Sequence, residues 1–160
     1  MKKLINDIYQ LKSYEKIIIL LGFMGLIPFI IGLLDLWFNQ GNLIFPINIA
    51  KNYGVIILTF LGSVYWGIVL NQNKMNAFTN QFKIFMLIWS ITPAFLGMIT
   101  LLIDKRISLI ILSLGYLICQ LVDEFYNKIL LFPNWYIFLR RCLSITVITV
   151  LISSYFILKY

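Results

Sequence analysis

The chain has 160 residues, 61% of them hydrophobic and 12% charged, with a net charge of +7 and no histidine. A water-soluble domain is about half apolar and about a quarter charged, and a membrane crossing takes about 20 residues, so these 160 residues hold one membrane domain and no room for a soluble catalytic one. The basic residues stand singly at the ends of apolar stretches rather than on one polar face, which argues for topogenic charges and against nucleic acid.

Residues 1–16 carry Lys2, Lys3, Lys12 and Lys16, with Leu4, Ile8 and Leu11 at helical spacing. They read as an amphipathic cytoplasmic segment on the membrane surface. The first span covers about 17–38 and contains Gly22, Gly25, Pro28 and Gly32, which membrane helices tolerate where neighbours satisfy the freed backbone. The second span covers about 53–70. Thr59, Ser63 and Gly67 recur at i, i+4 and i+8 with Trp66 beside them, and Gly54 and Gly62 form a second stripe of small residues; such faces let helix backbones approach closely.

The third span, about 84–103, holds Pro93 within Ser90-Ile91-Thr92-Pro93, where a kink is expected. Asp104, Lys105 and Arg106 then make a tight turn, so the third and fourth spans should be antiparallel neighbours. The fourth span, about 107–126, carries the most polar stripe of the chain: Ser113, Tyr116, Gln120, Asp123 and, just beyond it, Asn127. Residues 127–141 form an aromatic and basic connector suited to the head-group region, and the last span covers about 142–158. The fold class expected is therefore an all-α integral membrane bundle of five transmembrane helices.

Positive charge sets its orientation. With the N-terminus inside, the inner segments hold nine Lys and Arg residues and the outer ones four, which favours N-inside and C-outside. The Ile, Lys and Asn richness points to an AT-rich genome and a bacterial inner membrane; a mitochondrial inner membrane stays open.

Chemistry is sparse. The missing histidine removes the commonest general base and metal ligand, and Cys119 and Cys142 stand in no metal-ligand spacing. No catalytic residue, cofactor or metal is expected. The sharpest group is Gln120, Asp123 and Glu124 with Tyr116, because ionisable side chains at membrane depth are costly and often functional. On one reading Asp123 and Glu124 sit just past the inner end of a short span and are solvated. On the other, Asp123 pairs with Arg140 or Arg141, pinning the connector to the bundle beside a polar-lined pocket for a lipid head group or partner. Neighbouring residues on a helix point about 100° apart, so the two carboxylates do not converge on one atom. Gly62, Thr59, Ser63, Trp66, Gly67 and Pro93 are the expected helix-packing residues.

Several segments resemble a known family. Leu21 to Phe29 resembles its LGxxGLIPF opening; Tyr53-Gly54, Ile57 to Gly62 and Trp66-Gly67 resemble its YGxxILSFLGxxxWG segment; Ser90 to Pro93 resembles its SxxP segment. Gly115, Gln120 and Asp123 are similar to its GxxxxQxxxD pattern with the last interval one residue shorter, and Pro133, Trp135-Tyr136 and Leu139-Arg140 to its PxWYxxLR segment. The resemblance covers about 18–155 and is to the family of domain of unknown function 3429 / transmembrane protein 69. It implies a small multi-pass membrane protein without an assigned activity and supplies no catalytic residues. The expected role is a non-catalytic scaffold or assembly partner, touching the lipid bilayer and a membrane-protein partner or further copies of itself. A small oligomeric transporter or channel using the polar stripe is the alternative, and a lipid-modifying enzyme a weaker third.

Overall fold

The computed structural model describes residues 12–39, 44–71, 78–130 and 132–158. Among these the secondary structure is entirely helical: α1 (Ser13–Met24), α2 (Ile27–Asn39), α3 (Ile44–Leu70), α4 (Asn80–Leu102), α5 (Lys105–Leu130) and α6 (Asn134–Ile157). Ser13–Phe38, Ile47–Leu70, Asn80–Leu102, Lys105–Leu130 and Asn134–Ile157 are each long and apolar enough to cross a bilayer, so the protein is an all-α integral membrane protein with five spans.

The first span is broken. Pro28 has no N–H to give the carbonyl of Met24, so the helix cannot run through this point with its normal bonding. The chain tightens there instead: the Gly25 N–H donates to Leu21 O and the Leu26 N–H to Phe23 O, both at 3.0 Å. Helix α2 restarts with Pro28 in its first turn, where a missing donor costs nothing. At the start of α1 the Glu15 carboxylate accepts the Lys12 N–H at 2.7 Å. Of the surface segment expected at 1–16, residues 1–11 lie outside the described residues, and 13–16 are the first turn of α1.

Two boundaries differ from those read in the sequence. Helix α3 starts at Ile44, not near residue 53, because Asn48, Lys51 and Asn52 lower hydropathy without opposing a helix. Its 27 residues span about 40 Å, more than a hydrocarbon core of about 30 Å requires. The connector expected at 127–141 is mostly helix: α5 continues to Leu130, α6 begins at Asn134, and only 131–133 separate them. Pro133 sets that break, since it disfavours helical backbone in the residue before it. The acidic and basic residues that read as a boundary are instead paired across the two helices.

Helix α3 packs against α2, α4 and α5, while α6 packs against α5 and α2; α1 touches chiefly α6. The core lies where these faces meet, around Phe29, Leu58, Leu109, Leu112, Tyr116 and Leu151. Glycines allow the closest approaches. A Cβ at Gly62 would stand 2.5 Å from Ser90 O and 2.9 Å from Pro93 Cγ, one at Gly97 2.8 Å from Val55 Cγ1, and one at Gly115 2.9 Å from Leu58 Cδ2. Helix α4 runs unbroken through Pro93, with the Ser90 hydroxyl on Leu87 O at 2.6 Å and Thr92 on Ile88 O at 3.0 Å. The tight turn at Asp104 joins α4 to α5 as antiparallel neighbours. There the Arg106 N–H donates to Asp104 Oδ2 at 2.9 Å, and the Ser108 hydroxyl lies 2.6 Å from Thr100 O.

Gly62 and Pro93 thus lie in a helix contact. Thr59, Ser63, Trp66 and Gly67 do not: all four are exposed on the outside of the bundle, and a Cβ at Gly67 would meet nothing within 4 Å. The packed face of α3 is the stripe beside them, Gly54, Leu58, Gly62 and Tyr65. Thr59 and Ser63 can face lipid because their hydroxyls bond their own helix, to Val55 O at 2.9 Å and Phe60 O at 2.7 Å.

Candidate functional site

The polar stripe of α5 points inward near the end of the bundle shared by Leu70, Leu130 and Asn134. Asp123 is 4% exposed there and joins three helices. Its Oδ1 accepts the Tyr65 hydroxyl of α3 at 2.6 Å, and its Oδ2 accepts Nε of Arg140 in α6 at 2.8 Å as well as Nη2 of the same guanidinium. A carboxylate this deep is tolerable only when paired and hydrogen-bonded, and each oxygen here has its donor. About two turns earlier on α5, the Tyr116 hydroxyl donates to Gly54 O of α3 at 2.8 Å.

A second ion pair runs beside the first at the bundle surface. Arg141 binds Glu124 through Nε and, at 2.6 Å, through Nη2, and Gln120 Nε2 donates to Glu124 Oε1 at 3.0 Å. The side chains of Arg141 and Glu124 are 54% and 31% exposed against 7% and 5% for Arg140 and Asp123, so only the inner pair is shielded. Asp123 and Glu124 therefore address different arginines and share no atom. Of the six site residues read in the sequence, five form these two networks directly, and Tyr116 anchors α5 to α3 beside them. Gln120 is buried with its Oε1 left without a partner among the described residues, as is the indole N–H of Trp89.

Beside the inner pair lies a cavity of about 360 Å³ between α1, α3 and α6, with α2 above it. Its wall is apolar except for Arg140, Ser144 and the tyrosines 53, 116 and 136. It exists because α1, ending at the break before Pro28, leans on α6 rather than on α3, an approach that Gly22 permits, since a Cβ there would stand 3.0 Å from Leu143 Cδ1. Ile18, Leu21 and Phe60 form part of its wall yet are 40%, 60% and 63% exposed, so it opens sideways between α1 and α3.

The sequence reading singles out neither Tyr65 nor Ser144. A stripe at 54, 58, 62 and 65, continuing the second run of small residues, was the available signal for Tyr65; for Ser144 the signal was its i+4 and i+8 spacing from Arg140 and Tyr136. Among the described residues no group of three or more His, Cys, Asp or Glu could hold a metal ion.

Comparison with known proteins agrees with this picture. No solved structure matches the chain. It is 32% identical over 162 aligned positions to Transmembrane protein 69 of Xenopus tropicalis, an alignment that takes in 92% of this chain and 57% of that relative, so the chain spans little more than half of the relative's length. The model of the family described as Protein of unknown function (DUF3429) matches residues 14–156, nearly all of the described bundle, and the chain belongs to that family.

Proposed function

We propose that this protein is a non-catalytic scaffold or assembly partner within its membrane. The observation that carries the reading is the outer face of α3. Thr59, Ser63 and Gly67 form a smooth, small-residue stripe with Trp66 beside it, and the described residues leave that stripe uncovered. In lipid, helix association relies on close packing of such faces rather than on hydrophobicity. The internal polar groups support the same reading, because Asp123 and Tyr116 are committed to holding helices together.

Transport along the α5 stripe is weakened by those same bonds, and catalysis by Glu124 would have to displace both Arg141 and Gln120. Extraction in mild detergent followed by native mass spectrometry tests the proposal. The expected species carries a second copy or a membrane-protein partner in fixed ratio, and Gly67→Phe releases it while the protomer keeps its helicity. A lone wild-type protomer, or an assembly indifferent to Gly67→Phe, overturns the proposal.

A further inference from the structure

The cavity between α1, α3 and α6 carries unspent hydrogen-bonding capacity. Arg140 uses Nε and Nη2 on Asp123, and its Nη1 has no hydrogen bond among the described residues. The hydroxyls of Tyr53, Tyr136 and Ser144, all in the cavity wall, have none either among the described residues. Ser144 is 4% exposed and Arg140 6%, yet neither Ser144 Oγ nor Arg140 Nη1 is sealed inside protein without a partner as Gln120 Oε1 is, so both face the cavity, where a guest can reach them. A serine in a membrane helix normally bonds its own backbone, as Ser63, Ser90 and Ser113 do here. Ser144 does not.

Spacing and charge define what would satisfy them. Tyr136, Arg140 and Ser144 stand at i, i+4 and i+8 on one face of α6, about 6 Å apart along the helix. Ser144 lies about 15 Å along α6 from its start at Asn134, near the middle of a hydrocarbon core of about 30 Å. Among the described residues Arg140 is the one charged side chain in the cavity wall, and its partner Asp123 neutralises it. An anionic head group would add an uncompensated charge beside that pair, and a saturated acyl chain would leave Ser144 and Tyr53 unpaired at depth. An uncharged, flat head with acceptors on opposite sides fits: one carbonyl oxygen at Arg140 and Tyr136, the other at Ser144 and Tyr53. Tyr53 and Phe29, in edge contact at 5.6 Å, supply aromatic wall, and the sideways mouth at Ile18, Leu21 and Phe60 gives an apolar tail its exit into the bilayer. The volume of about 360 Å³ lies at the small end of ligand sites, enough for a ring and the first part of a tail.

We infer that this cavity is a binding site for an isoprenoid quinone, held by two carbonyl acceptors between Arg140 and Ser144 with its tail leaving between α1 and α3. The site does not depend on the scaffold reading. The probe is a benzoquinone bearing a ten-carbon chain, titrated into the full chain in nanodiscs and followed by quenching of tryptophan fluorescence, with native mass spectrometry of the complex. One quinone per chain is expected. Val64→Trp, which fills the cavity, should abolish binding, and Ile56→Trp on the exposed face of the same helix should leave it unchanged. Ser144→Ala, a change too small to unfold the bundle, should weaken binding by about fivefold, the value of one hydrogen bond. Absence of quinone binding, binding indifferent to both Val64→Trp and Ser144→Ala, or a phospholipid that keeps its place in the cavity against excess quinone would overturn the inference.

Discussion

Asp123 holds two helices at once, and the energetics of a buried ion pair determine what its loss does. Removing one member leaves the other charged, shielded and unpaired, whereas removing both leaves an apolar gap. Asp123→Asn should therefore destabilise the bundle by about 3–5 kcal/mol in reversible unfolding in mixed micelles, and the double change Asp123→Leu/Arg140→Met should cost clearly less than Asp123→Asn alone. Tyr65→Phe deletes one hydrogen bond to a charged acceptor and should cost about 1.5–3 kcal/mol. Glu124→Gln, at the half-exposed pair, should leave the unfolding midpoint little changed. A double variant no more stable than the single one would show that the pair is not what secures α5 to α6. The sequence brings Asp123 within reach of an arginine but does not choose between Arg140 and Arg141. The choice depends on rotation of α6 against α5, and no single-helix periodicity encodes that rotation. Tyr65 is hidden for a related reason, since a tyrosine in an apolar stretch gives no sign of an acceptor 58 residues away.

At the scale of the helix, α3 carries two stripes of small residues about 100° apart, and only packing separates them. Both contain a glycine, and alanine at either position gains helix propensity of up to about 1 kcal/mol. At Gly67 nothing opposes that gain, so Gly67→Ala should be neutral or slightly stabilising in the isolated chain. At Gly62 the new methyl would meet the Ser90 carbonyl, which belongs to backbone and cannot swing aside, so Gly62→Ala should cost about 1–3 kcal/mol. Equal unfolding midpoints for the two variants would contradict the α3–α4 contact. Composition does not separate the stripe packed within the chain from the one exposed on its outside, because hydroxyls and glycine look alike as packing residues. The hydroxyls of Thr59 and Ser63, however, are satisfied within their own helix, so that face need not be covered by another helix of the same chain. The break before Pro28 and the tight turn at Asp104 are by contrast written locally, in a missing donor and a short polar run.

For the whole molecule, hydropathy makes the five spans legible, since no other arrangement hides that many apolar residues. The cavity is not legible, because it arises from the lean of one short helix on α6 rather than on α3. Orientation rests on charge, and the structure alters its weights. Arg140 is buried against Asp123 and Arg141 is tied to Glu124, so neither is a free topogenic charge. Setting both aside leaves seven basic residues on the side of the chain's start against four on the other, and the bias keeps its sign. Lys105 and Arg106, the strongest dissenters, sit at a tight turn with the Arg106 guanidinium 4.8 Å above the Tyr155 ring, so part of that charge is engaged by the protein itself. We therefore expect the chain's start in the cytoplasm and its end outside. Alkaline phosphatase fused after Tyr160 should be active in a bacterial host, and a fluorescent protein fused there should be dark. The reverse pattern would place Asp123 and Arg140 on the outer half of the membrane.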